Sequence, residues 1–229
     1  MIDEAAGLKR AAAEAAIDAE VRSGMTLGLG TGSTAAFLLD GLAARLEGGA
    51  LEGITGVPTS EATAARCREL GIPLATLEQR PRLDLALDGA DEIAPGLDLI
   101  KGLGGAHLRE KVVAASAARF VVVADDSKLV ERLGQRAPLP VEVVTFAYPL
   151  CERLLAEAGW TPLLRGGPAS PFVTDEGNHI ADCRRDDWSD AARLAAELEA
   201  MPGMVAHGLF LGMASAAYVA TPDGVRVIT

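Results

Sequence analysis

The chain has 229 residues, 49% hydrophobic, 23% charged and 4% aromatic, a profile that fits a globular protein with one large domain or a large and a small one. Its 32 acidic and 21 basic residues leave a formal net charge of −11, which excludes nucleic acid and anionic membranes as expected partners, because both need a basic footprint. Three scattered cysteines, Cys67, Cys151 and Cys183, form no CxxC pair, so we expect neither disulfides nor zinc and assign a reducing, cytoplasmic compartment.

The first residues, MIDEAAGLKRAAAEAA, lack a basic stretch followed by an apolar one, so no signal peptide is expected. No run of about 18 apolar residues predicts a membrane span. Residues 5–22 carry small apolar side chains at helical spacing, with Lys9 among the charges, and predict an amphipathic helix. TLGLG (26–30) reads as a short buried strand, and STAAFLLDGLAARL (33–46) as a helix with Ser33 as its N-cap. GITGVP (53–58) is a strand, and EATAARCREL a helix capped by Thr59 or Ser60 and stopped by Gly71. LDLALD (83–88) predicts a central strand, HLREKVVAASAA (107–118) a helix and FVVVA (120–124) a buried strand. Strands alternating with helices indicate βαβ units and a parallel sheet.

The texture changes after residue 130. PVEVV, PLCERLLAEAG, two or three short strands (TPLLR, PFVTD, HIADC) and DAARLAAELEA suggest a small α+β unit of ferredoxin-like order. The tail predicts a strand and a hairpin around Asp223-Gly224 that needs an existing sheet to join. The expected architecture is α/β: a Rossmann-like, mostly parallel sheet with helices on both faces, formed by residues 1–134 and completed by 207–229. Residues 135–206 form the smaller α+β domain.

Two stretches carry chemistry. GLGTGST (28–34) lies at a strand-to-helix junction, where glycines admit a ligand to the backbone and the free N–H groups of a helix start attract anions. Thr31, Ser33 and Thr34 add hydroxyls, which suits a phosphate. The loop is neither a Walker loop, since no GK[ST] follows, nor a regular dinucleotide fingerprint, since Ser33 stands where the third glycine belongs. The competing reading is a tight turn before a capped helix.

The second stretch, DGADEIAPGLDLIKGLGGAHLREKVVA (88–114), holds five carboxylates and Lys101 beside a glycine cluster. Asp88 and Asp91 sit just past a buried strand, where open α/β sheets place ligands, and paired acids in one pocket support proton exchange. Lys101 beside the glycines suits a developing oxyanion. Glu110, in the first turns of a helix, is placed to act as a base, although "REK" on a helix is more often a solvated face. Lys128, just past FVVVADDS, reads equally as a ligand-facing or a solvated loop lysine, and Lys9 is a weaker candidate. Glu92 and Asp98 read as solvated or structural acids. His107, His179 and His207 have no metal-ligand spacing; His107 reads as a packing or rim residue, and Cys67 as structural.

GLGTGSTA, DGADEI, KGLGGAHLREKVVA, ADDSKLV, PLPVEV and TPDGV, in this order along nearly the whole chain, resemble ribose-5-phosphate isomerase, type A. The resemblance implies interconversion of ribose 5-phosphate and ribulose 5-phosphate in the pentose phosphate pathway, with no metal and no organic cofactor, in a homodimer or homotetramer. It assigns Glu110 as proton acceptor. It assigns Thr31, Gly32, Ser33, Thr34, Asp88, Gly89, Ala90, Asp91, Lys101, Gly102, Leu103, Gly104 and Lys128 to substrate. Asp88, Asp91 and Lys101 join Glu110 as catalytic groups. Leu103 replaces a glycine of the family's KGGGAA pattern, and His107 stands where a small or apolar residue is usual. A phosphosugar sensor would need the phosphate loop but neither Glu110 nor Lys101; another α/β enzyme, such as a sugar-phosphate deaminase or a CoA transferase, is the rival within enzymes.

Overall fold

The computed structural model describes residues 2–229. In chain order, its first elements are α1 (Ile2–Glu20), β1 (Thr26–Leu29), α2 (Ser33–Glu47), β2 (Thr55–Pro58), α3 (Glu61–Glu69) and β3 (Leu85–Asp88). Two very short strands follow, β4 (Glu92–Ile93) and β5 (Leu99–Ile100), then α4 (His107–Ser116), β6 (Phe120–Asp125) and β7 (Leu139–Val143). The remainder is α5 (Tyr148–Glu157), β8 (Thr161–Leu164), β9 (His179–Arg184), α6 (Ala191–Glu199), β10 (Met204–His207), β11 (Leu209–Phe210), β12 (Ala216–Thr221) and β13 (Gly224–Ile228).

The backbone divides into two compact units. One comprises the chain up to Ala90 with Arg109–Lys128 and Gly212–Thr229; the other comprises Asp91–Leu108 and Leu129–Leu211. The sequence-based division leaves residues 91–108, 129–134 and 207–211 with the first domain, whereas the backbone contacts group them with the second unit. Within the second unit β5 pairs antiparallel with both β4 and β11 in a three-stranded sheet.

In the first unit a six-stranded sheet runs β13-β12-β6-β3-β1-β2, parallel except for the terminal hairpin. Alternate residues divide between its faces, as strand geometry requires. Leu27, Leu29, Leu85, Leu87, Val121 and Val123 join Ala12, Ala16, Ile17, Leu38 and Leu42 in one core, which places α1 and α2 on that face. Residues of the other parity are small: a Cβ at Gly28 would collide with Val113 of α4 and crowd Ala86, so α4 lies close against the opposite face. The Rossmann-like expectation, helices on both faces, holds.

The second unit contains a four-stranded antiparallel sheet, β10-β7-β9-β8. With α5 after β7 and α6 after β9, the path is β-α-β-β-α-β, the ferredoxin-like order. Its core gathers Leu139, Val141, Val143, Cys151, Leu155, Trp160, Leu194 and Leu198.

Four local expectations differ. Ser33 is the first residue of α2, and Gly32, at φ 101°, occupies the N-cap with no side-chain cap bond. PFVTD is no strand: Pro171 has no N–H to donate, and the segment makes isolated rungs, Phe172 N–H to Arg165 O and Thr174 N–H to Asn178 O. The hairpin loop is Pro222-Asp223, because Thr221 pairs with Gly224. The acid-rich stretch after Asp88 contains the two strands β4 and β5, which no sequence pattern indicated. Among the described residues no helix is long and apolar enough to cross a membrane.

Candidate active site

Within the first unit, β1 lies between β2 and β3, and β3 lies between β1 and β6. The chain therefore leaves β1 in one direction to reach β2 and crosses back to the other side for β3. This reversal is a topological switch point, where open sheets bind ligands beyond their strand carboxyl ends. Gly30 follows β1 and Asp88 ends β3, on either side of that point. Leu29 pairs with Leu87, and Gly30 N–H donates to Leu87 O at 2.9 Å.

Asp88 is 4% exposed, and its Oδ1 accepts the N–H of Gly89 at 2.7 Å and of Thr31 at 3.2 Å. The carboxylate thus ties the end of β3 to the loop after β1. A Cβ on Gly30 would collide with that carboxyl group, so only glycine allows the approach. The Thr31 hydroxyl is held inside the unit, 2.7 Å from Thr59 Oγ1 and 2.9 Å from Ser60 Oγ. Thr63 Oγ1 in turn donates to Gly30 O at 2.9 Å. Thr31 is therefore an anchor of the loop as much as a ligand candidate. Ser60 caps α3, accepting the Thr63 N–H.

The start of α2 carries no side-chain cap. Lys9 of α1 reaches it and donates from Nζ to Ser33 Oγ at 3.0 Å. A helix N-terminus with exposed Ser33 and Gly32 and an adjacent ammonium carries partial and full positive charges of the kind that attract an anion. Sequence reasoning rates Lys9 a weak candidate and does not foresee this contact. Its only signal is a helical lysine whose partner lies 24 residues further on.

Glu110 is buried in the first turn of α4. It precedes Val113 by three residues, so both share the helix face that meets the sheet. The C-terminal end of α4 lies at the start of β3, since Leu83 N–H donates to Ser116 O. Its first turn consequently lies toward the carboxyl edge of the strands, the edge that carries Gly30 and Asp88. Lys128 ends a single turn, Asp126–Lys128, directly after β6, the neighbour of β3. It is half-buried. The first unit therefore brings the glycine-rich loop and the start of α2, two buried carboxylates and two lysines to one sheet edge. Gly89 and Ala90, half-buried, continue from it.

The second unit holds the other expected residues. Lys101 follows β5 and is buried, with Nζ 5.6 Å from the Phe210 ring centroid and its N–H donating to Gly208 O at 2.9 Å. Asp91 Oδ2 accepts the Leu103 N–H at 2.9 Å, which closes a small loop of Gly102, Leu103 and Gly104. Gly102 stands at φ 110°, where an added Cβ would lie 2.7 Å from His107 Nδ1. Leu103 is 45% exposed and contributes backbone to the loop. His107 is a fully buried packing residue beneath it, its Nε2 3.9 Å from Glu142 Oε2. Burial pushes the Glu142 carboxyl up despite hydrogen bonds from Asn178 and Thr174. Glu92 is structural: its buried carboxylate accepts the N–H groups of Gly134 (2.6 Å), Arg136 (2.6 Å) and Ala137 (2.7 Å).

Other chemistries have less support. The three cysteines are free and buried, and burial pushes the Cys67 thiol up to about 11, away from the thiolate a nucleophile needs. Among the described residues no group of three or more His, Cys, Asp or Glu side chains is arranged to hold a metal ion.

The family profile of ribose 5-phosphate isomerase A (phosphoriboisomerase A) matches residues 55–224. The chain is 66% identical to "Ribose-5-phosphate isomerase A" of Roseiflexus castenholzii over 95% of this chain and 93% of that protein. It superposes on a solved D-ribose-5-phosphate isomerase in complex with phospho-erythronic acid with a TM-score of 0.94, at 37% identity and 97% coverage of each chain. Ribose 5-phosphate isomerase A of Methanocaldococcus jannaschii is similar at a TM-score of 0.92 and 40% identity, over 97% of this chain and 98% of that one.

Proposed function

The chain belongs to the ribose 5-phosphate isomerase A family, and on that premise we propose that it interconverts D-ribose 5-phosphate and D-ribulose 5-phosphate, with the groups described above in catalytic roles. The observation that carries the assignment is the sheet edge of the first unit, where an uncapped helix start adjoins a buried Asp88 and a buried Glu110. A phosphosugar presents one dianion and a row of hydroxyls, and this edge offers an anion site together with acids for proton exchange.

In the proposed mechanism the Gly32–Thr34 backbone and hydroxyls hold the phosphate, with Thr31 steadying the loop and Lys9 and Lys128 balancing the charge. Asp88 exchanges a proton with the ring oxygen and anomeric hydroxyl, which opens the sugar. Gly89 and Ala90 supply backbone contacts beside it, and Asp91 orients hydroxyls. Glu110 takes the proton from C2 while the C1 carbonyl oxygen becomes an enediolate oxygen. Lys101 and the N–H groups of the Gly102–Gly104 loop stabilise that charge. Glu110 then delivers its proton to C1 while the C2 hydroxyl proton passes to the C1 oxygen, which leaves a ketone at C2 and a hydroxyl at C1, and reversal follows the same path. A positioned base supplies roughly 10²–10⁴-fold and one oxyanion donor roughly 10²–10³-fold.

We assign this reaction to the non-oxidative pentose phosphate pathway in the cytoplasm, and the chain to a homodimer or homotetramer. The family supports pathway and assembly, and three free cysteines support a reducing compartment. A coupled assay with ribose 5-phosphate, with and without EDTA, tests activity and the absence of a metal requirement together. No turnover of ribose 5-phosphate would sink the reading, and light scattering gives the assembly.

A further inference from the structure

The loop after Lys101 is gripped by a charged fork. Arg165 directly follows β8 and is fixed at its backbone, where its N–H donates to Ile180 O at 2.9 Å. Its guanidinium grips Asp182 of β9 with two bonds, Nε to Oδ2 at 2.9 Å and Nη2 to Oδ1 at 2.6 Å. The two side chains are 15% and 20% exposed. Nη1 turns to the loop and donates to Gly102 O at 3.0 Å and Leu103 O at 3.2 Å. Phe172 backs the guanidinium, 5.6 Å from its ring centroid.

These contacts fix the direction of peptide planes. In a trans peptide the C=O and the following N–H point opposite ways. Holding Gly102 O therefore aims the Leu103 N–H away from Arg165, where Asp91 takes it at 2.9 Å. Holding Leu103 O aims the Gly104 N–H away from Arg165 in the same manner. Besides the Asp91 bond, the loop is held by a turn bond from Gly105 N–H to Gly102 O at 3.0 Å, and Gly102 and Gly104 have no side chains to hold the turn. Two charge-assisted bonds from a rigid fork are stronger restraints than that one neutral bond.

We propose that Arg165, held by Asp182, is a positioning residue of the isomerase reaction. It fixes the planes of the 102–104 loop so that the Gly104 N–H is a preorganised donor to the enediolate oxygen. This rests on the isomerase reading given above. A preorganised donor acts where charge develops, so it affects kcat rather than ground-state binding. A simple staple between strand and loop would affect stability alone.

The experiment compares wild type, Glu110→Gln, Arg165→Met, Arg165→Lys and Asp182→Asn in the ribose 5-phosphate assay. It adds inhibition by phospho-erythronic acid, whose carboxylate stands in for the enediolate, and by inorganic phosphate. Wild type without activity overturns the underlying isomerase reading whatever Arg165 does, and Glu110→Gln with full activity overturns the mechanism in which Glu110 is the base. With that reading standing, Arg165→Met is expected to lower kcat on the order of 10²-fold, with KM within about twofold. Phospho-erythronic acid should weaken by a similar factor while inorganic phosphate competes as before. Arg165→Lys keeps the charge without the fork and should restore less than about a tenth of the lost activity. Asp182→Asn, which leaves the arginine in place, should lower kcat roughly 10-fold with the same pattern of inhibitors. The proposal is overturned if kcat of Arg165→Met stays within about threefold of wild type, if KM alone changes, or if both inhibitors weaken equally. Should Arg165→Met fail to fold, Asp182→Asn decides by the same criteria.

Discussion

Gly30 and Asp88 face each other across β1 and β3 so closely that a Cβ on the glycine would meet both the carboxylate and the Asp88 Cα, the latter at 2.7 Å. The sheet register thereby fixes the acid against the phosphate loop, and no side-chain motion at Asp88 alone makes room. Gly30→Ala is expected to cost about 1–3 kcal/mol of stability by overpacking and to lower kcat/KM disproportionately, because the displaced carboxylate is a proposed reacting group. Thermal unfolding and the isomerase assay check both; an alanine variant with unchanged activity and melting temperature would refute the steric argument.

Glu110→Gln preserves shape and burial but removes the base. Turnover should fall roughly 10²–10⁴-fold with KM nearly unchanged, because the residues proposed to hold the phosphate are untouched. Solvent tritium or deuterium incorporation at C2 of ribose 5-phosphate should disappear with turnover. A variant that retains a third or more of wild-type kcat removes Glu110 from its role.

Lys9→Met tests the lysine found at the phosphate loop. Its Nζ contacts Ser33, which the proposed mechanism sets at the phosphate, away from the proton transfer, so on that mechanism it should bind substrate and transition state alike. KM should rise on the order of 10-fold with kcat unchanged, the signature of uniform binding. A fall in kcat without a change in KM would contradict it.

The contrast between Lys9 and the motifs explains what could be read from the chain. GLGTGST, LDLALD and FVVVA are local patterns, since glycine placement and β-branched runs report strand ends directly. The βαβ alternation and the ferredoxin-like path followed from such signals. β4 and β5 are two residues each, too short for any period, so nothing local shows that Glu92, which reads as a solvated or structural acid, accepts the N–H groups of Gly134, Arg136 and Ala137. Arg165 lies 63 residues from the carbonyl of Gly102 that it holds. Long-range polar partners leave no local trace, and neither does the pairing of β5 with β11.

Glu20 gives a pH-dependent test of the scaffold. It ends α1 and is held by Arg119 through two bonds of 2.8 and 2.9 Å, with the Tyr218 hydroxyl donating at 2.9 Å. Those bonds, Arg119's foremost, hold its carboxyl below the usual value of 4.5 despite partial burial. A lowered folded-state pKa means that the unfolded chain binds the proton more readily. The stabilisation is therefore present above about pH 4.5 and is lost as pH falls through the folded value. Arg119 is 41% exposed, so solvent screening limits the pair to about 1 kcal/mol. Glu20→Gln should accordingly be less stable than wild type by about that amount at pH 7. The gap should close as both proteins are titrated below pH 4.5, followed by urea unfolding at each pH. A gap of constant size across that range would show that packing of α1, rather than the charge on Glu20, carries the effect.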